Sequence, residues 1–152
     1  MTPGKLREKV ITERVKWIRQ MLAELRSLPV DDFDTFCSDP KNIAAAESYL
    51  RRCLEALLDI GRHILAKGFG QAVAEYKQIA SELMNFEVIS RDQAKNLQIL
   101  AGYRNRMVHF YHEITDHELF EICSSDLGEV EHLLTAVLKW IRENPEKIDR
   151  AL

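Results

Sequence analysis

The chain has 152 residues, 46% hydrophobic and 30% charged, which fits one globular domain spanning residues 1–152 and argues against a disordered chain. With 24 acidic against 21 basic residues the formal charge is −3, so strong unspecific nucleic-acid binding is disfavoured and any such contact must come from a local patch. No apolar run approaches the roughly 20 residues of a membrane span, the first residues are charged too early for a secretory signal, and Cys37, Cys53 and Cys123 are odd in number and far apart, which points to reduced thiols in a cytoplasm.

Leu6, Val10, Trp17, Ile18, Met21, Leu22 and Leu25 recur at three- and four-residue steps, which predicts an amphipathic helix from residue 5 to about 27. Leu28-Pro29 ends it. Trp17 and, near the other end of the chain, Trp140 read as packing residues. Residues 31–37 are acidic with two aromatics, a connector expected to pack Phe33 or Phe36 against the core. Asp39-Pro40 is a helix start, with a capping carboxylate and proline in the first helical position. The helix that follows runs to Lys67-Gly68, with Gly68 and Gly70 as terminators. Its apolar face is wide enough for more than one neighbour. Within it Asp59 and His63 lie four residues apart on one side.

A third helix is expected from about 71 to 85. Ser90 with Gln93 has the form of a capping box and opens a fourth, which runs through Leu97, Leu100 and Ala101 to His109. Thr115 with Glu118 is a second capping box, opening a last helical region in which Ser124-Ser125-Asp126 marks a kink or a restart. Glu143-Asn144-Pro145 ends it. No strand alternation or internal repeat appears, so the expected fold is all-α, an up-and-down bundle of about five helices.

The chemistry concentrates in residues 101–112, where Arg104, Asn105, Arg106, His109, Tyr111 and His112 fall within nine positions. A guanidinium binds phosphate bidentately and neutralises charge that grows in a transition state. An imidazole accepts a proton from a ribose 2′-hydroxyl or gives one to a leaving 5′-oxygen. On a straight helix Arg104 and His109 would stand about 140° apart, so convergence on one phosphate needs the helix to loosen near Val108 or a second copy of the chain to complete the site. Asn105 and His109, four apart, share a face. By spacing alone, solvated arginines and a hydrogen-bonded core histidine fit the same residues.

Arg104-Asn105-x-x-Val108-His109-x-Tyr111 resembles the R-N-x-x-V-H-x-Y signature of the HEPN superfamily, in the branch that contains HepT toxins. The stretch Leu58-Asp59-Ile60-Gly61-Arg62-His63-Ile64 resembles that branch's L-D-I-x-x-H-I, and Gly102-Tyr103 before the arginine also fits. The likeness covers roughly residues 43–142. Phe110 stands where many relatives carry an acidic residue.

The resemblance implies a metal-independent ribonuclease toxin of a type VII toxin–antitoxin pair, needing no cofactor and working as a homodimer on an RNA substrate, tRNA or mRNA. It carries Arg104 and His109 over as catalytic and Asn105 as a polar support. Tyr111 becomes the hydroxyl that an MntA-like nucleotidyltransferase antitoxin modifies with AMP. Asp59 and His63 would orient or extend the site, or form a purely structural pair. The alternative is a non-catalytic HEPN module that binds nucleotide or dimerises beside a nucleotidyltransferase; a plain helical scaffold is the third reading.

Overall fold

The computed structural model describes residues 4–109 and 114–150, and it is an all-α bundle built around one long helix. In chain order the helices are α1 (Glu8–Ser27), α2 (Phe33–Ser38), α3 (Pro40–His63), α4 (Tyr76–Asn85), α5 (Arg91–His109), α6 (Asp116–Glu121) and α7 (Leu127–Glu143). The hub is α3, which touches α1, α2, α4, α5, α6 and α7. Its sequence explains this, because Leu50, Leu54 and Leu58 run along one side while Ile60 points away from Leu58, and all four are fully buried. Gly61 packs tightly against α4, where a Cβ would meet Ile79 Cγ2 at 2.9 Å and Leu83 Cδ1 at 3.0 Å.

The helix starts follow the capping chemistry of the sequence. Asp39 Oδ1 accepts the Lys41 N–H at 2.9 Å with Pro40 opening α3. Before α5, Ser90 Oγ accepts from Gln93 N at 3.2 Å and Gln93 Oε1 from Ser90 N at 2.8 Å, a complete capping box. At α6 only half the box forms. Thr115 Oγ1 accepts from Glu118 N at 3.1 Å, while the Glu118 carboxylate takes both Arg106 Nη1 and Nη2, at 2.7 and 2.8 Å. A bidentate guanidinium outcompetes a lone backbone N–H.

Four expectations need correction. The third helix begins at Tyr76, not near 71: Gly70 at φ 66° turns the chain, the Gln71 N–H closes on Leu65 O, and Arg62 holds Ala74 O, so the segment is pinned across the end of α3. The stretch 31–37 is not a plain connector but mostly α2, with Phe36 fully buried and Phe33 edge-on to Phe120. A strand pair exists after all, since Leu6–Arg7 (β1) runs parallel to Ile148–Asp149 (β2), and α1 therefore starts at Glu8. Trp17 lies one step off the buried stripe of Val15, Ile18 and Met21 and is 38% exposed, whereas Trp140 packs on Phe69.

Two π-helical turns mark the expected irregularities. Ile64–Gly68 ends α3, and Ile122–Asp126 joins α6 to α7, where Ser124 Oγ donates to Glu121 O at 3.3 Å and competes with the regular ladder.

Candidate active site: a cationic cleft on α5

The C-terminal half of α5 packs on α3 and α4, and where the three meet there is an open cleft of about 440 Å³. Arg104, Asn105 and His109 line it from α5, Arg62 from α3, and Tyr76 and Lys77 from the first turn of α4, with Glu75 just before that turn. The 140° between Arg104 and His109 does not keep them apart. His109 is the last residue of α5 and stands exposed, while the long Arg104 side chain lies inward against Tyr76, only 17% exposed.

Arg104 is held on three sides. Nε and Nη2 donate to Glu55 Oε2 at 3.2 and 3.0 Å, and Nη1 donates to Asn105 Oδ1 at 3.3 Å. Its Cζ sits 4.6 Å from the centroid of the Tyr76 ring, a cation–π contact. Glu55 is itself fixed, since its other oxygen accepts from Arg51 Nη1 at 2.9 Å. A guanidinium so constrained presents its remaining N–H groups in a set direction, the arrangement that bidentate anion binding requires.

Behind the cleft stands Asp59, with the Tyr76 hydroxyl and Arg62 Nη1 each at 3.5 Å from its Oδ1. Burial raises the Asp59 carboxyl above the ordinary carboxylate range, against the pull of Arg62 and Arg14. The same burial, reinforced by Asp59, raises the Tyr76 hydroxyl.

His63 does not join Asp59. Its Nε2 accepts the Arg7 backbone N–H at 3.0 Å, so the ring is a neutral acceptor tying α3 to the strand before α1. Burial, then the positive charges of Lys67, Arg7 and Arg14, lowers its pKa. Of the expected pair, only Asp59 lies beside the cleft.

Arg106 turns to Glu118 and joins α5 to α6, so it belongs to the frame of this region. Tyr111 and His112 lie outside the described residues. Among the described residues no group of three or more metal-ligating side chains comes together, and the charged groups lining the cleft are cations apart from Glu75. Among the described residues no helix is long and apolar enough to cross a membrane.

Sequence reasoning missed Glu55, Arg62, Tyr76 and Lys77. The first two had a signal: Arg51, Glu55, Asp59 and Arg62 step by four, four and three along α3, a charged stripe on an otherwise apolar helix. Tyr76 and Lys77 had none.

Known proteins resemble this chain in sequence and in fold. The family model described as Ribonuclease HepT-like matches residues 18–137. A tRNA nuclease HepT of Aphanizomenon flos-aquae is 27% identical over 121 residues, 79% of this chain and 82% of its own. Among solved structures, a tri-AMPylated HEPN toxin of Shewanella oneidensis in complex with an MNT antitoxin superposes with a TM-score of 0.77 at 21% identity, over 86% of this chain and 97% of the toxin chain. The cytosolic Bacillus subtilis protein YutE, of unknown function, superposes at 0.73 and 18% identity, over 88% and 90%. At these identities the two superpositions speak for the fold.

Proposed function

Because the chain belongs to the HepT-like ribonuclease family, we propose that it is a ribonuclease toxin whose Arg104 and His109 cleave RNA without a metal ion. One observation carries this reading: Arg104, Asn105 and His109 line a single cleft, with the guanidinium already oriented. His109 accepts the proton of a ribose 2′-hydroxyl, and the 2′-oxygen attacks the adjacent phosphorus. The bond from phosphorus to the 5′-oxygen breaks, that oxygen takes up a proton, and a 2′,3′-cyclic phosphate remains. Arg104 neutralises the charge that gathers on the phosphoryl oxygens, and Asn105 keeps its Nη1 side aligned. In a homodimer that brings two such motifs together, the second copy's protonated imidazole is the natural proton donor to the 5′-oxygen.

Regulation follows the same logic. An MntA-like nucleotidyltransferase partner would transfer AMP to Tyr111, placing a bulky phosphate two residues from His109, where RNA phosphate must bind. The AMPylated toxin among the structural relatives supports AMP transfer as the mode of regulation. The tRNA nuclease among the sequence relatives favours tRNA over mRNA as the substrate.

The test is cleavage of tRNA by the purified chain in EDTA, beside His109→Ala. We expect wild-type cleavage that leaves cyclic phosphate ends and a variant slower by about 100-fold or more. The engagement of Arg104 by Glu55 supports a second reading, a non-catalytic binding module in which the arginine only builds the fold. Cleavage that is absent, or unchanged by His109→Ala, would favour that module.

A further inference from the structure

The cleft holds more positive charge than one phosphate requires. Arg62, Lys77 and Arg104 line it against the single carboxylate of Glu75, on a chain whose overall charge is −3. Arg62 and Arg104 come from different helices, yet both guanidinium carbons stand over one ring, 4.9 and 4.6 Å from the Tyr76 centroid. The two guanidinium carbons can be no farther apart than those two lengths laid end to end. Holding like charges so close is unfavourable, and Asp59 and Glu55 offset it only in part: the Arg62 pair is loose at 3.5 Å. Lys77 is exposed, with no ion-pair partner among the described residues. An anion in the cleft would relieve this repulsion.

We infer that Arg62 and Lys77 form a second phosphate subsite, which grips the backbone phosphate next to the one held by Arg104. The inference rests on reading the cleft as a ribonuclease site. The subsite follows the backbone more than the bases, because the Tyr76 ring, which lines the cleft and could otherwise stack a base, already carries two guanidinium groups. Arg62 is well placed to keep its position while binding, since Nη2 is anchored to Ala74 O at 3.0 Å.

The experiment is a fluorescence-anisotropy titration with an uncleavable single-stranded 2′-O-methyl RNA, repeated over a series of salt concentrations. Wild type is compared with Lys77→Ala and with Arg62→Gln/Lys77→Ala, whose folding is checked by melting. Losing one phosphate contact should lower the slope of log affinity against log salt by about 0.7 in the double variant. Affinity at low salt should fall several-fold, with Lys77→Ala in between. In cleavage assays KM should rise while kcat at saturating RNA holds. Because Lys77 is exposed, its substitution leaves the fold intact whatever becomes of Arg62. An unchanged salt slope with intact cleavage overturns the subsite alone, and so does a loss confined to kcat. A wild-type chain that neither binds nor cleaves RNA overturns the ribonuclease reading and the subsite with it.

Discussion

Arg104 gives both Nε and Nη2 to one oxygen of Glu55, at 3.2 and 3.0 Å, across the junction of α5 with α3. Glu55 in turn leans on Arg51 through its second oxygen. A guanidinium tied this way has its Nε–Nη2 edge occupied by Glu55, while Nη1 meets Asn105 in the lining of the cleft. The pair is a positioning device: it sets where Arg104 points at a small cost in its charge.

Replacing Glu55 by Gln keeps the size but removes the charge and offers only one acceptor. We expect kcat on RNA to fall by about tenfold as Arg104 loses its alignment, with KM little changed. Glu55→Asp, which retains a carboxylate, should recover part of the loss. Steady-state cleavage at saturating RNA checks this, and a higher kcat in Glu55→Gln would identify Glu55 as a restraint on Arg104 instead.

Arg104→Lys separates charge from geometry. Lysine keeps the positive charge but lacks the planar fork that meets Glu55 and Asn105 and that the proposed mechanism turns to phosphate. Cleavage should drop by about 100-fold, nearly as far as in Arg104→Ala. Activity close to wild type would mean that only the charge matters.

Tyr111→Phe removes the proposed AMP acceptor and nothing assigned to catalysis. Co-expressed with a partner nucleotidyltransferase, the wild-type chain should gain AMP in its intact mass, and the Phe variant should not. The variant should also stay toxic to cells in the presence of the partner. AMP found elsewhere on Tyr111→Phe, together with loss of toxicity, would move the modification to another residue.

His63 makes stability depend on pH. Its folded pKa lies below the unfolded value of about 6.5, so in that window the unfolded chain binds more protons than the folded one. Stability therefore rises with pH through the window and is lost as pH falls below about 6.5. Protonation would also remove the acceptor of the Arg7 N–H. His63→Gln keeps an acceptor without titrating, so melting curves between pH 7.5 and 5.5 should fall more steeply for wild type than for the variant. Asp59, with a raised pKa, acts in the opposite sense at lower pH and is common to both proteins.

Gly61 is set by packing, not by backbone conformation. Valine there would push Cβ into Ile79 and Leu83, which lie 2.9 and 3.0 Å from where that atom must be. Overpacking of this kind costs about 1–3 kcal/mol, more than the helix-propensity gain returns. The melting temperature should fall by several degrees. Because α4 carries Tyr76 and Lys77, RNA affinity should weaken as well.

The helices were legible from local chemistry. Apolar residues at three- and four-residue steps, the Asp39-Pro40 start and the reciprocal Ser90 and Gln93 cap act within a turn or two, so the sequence states them directly. The all-α class and the resemblance around Arg104 and His109 come from the same short range. The start of α4 was not legible, because the segment before it is pinned by Arg62 and Leu65, which belong to the end of α3.

The site divides along the same line. Sequence by itself singled out the residues proposed to carry the chemistry, since arginine, asparagine and histidine sit within six positions of one helix. Only the tertiary structure decided what they work with. Glu55 lies 49 residues from Arg104, and Tyr76 and Lys77 belong to another helix. It also parted Asp59 from His63, setting one against Tyr76 behind the cleft and the other against the Arg7 backbone, although they are four residues apart on one helix. Spacing along a helix says which side chains share a face, but the partner each one finds depends on the elements packed against that face.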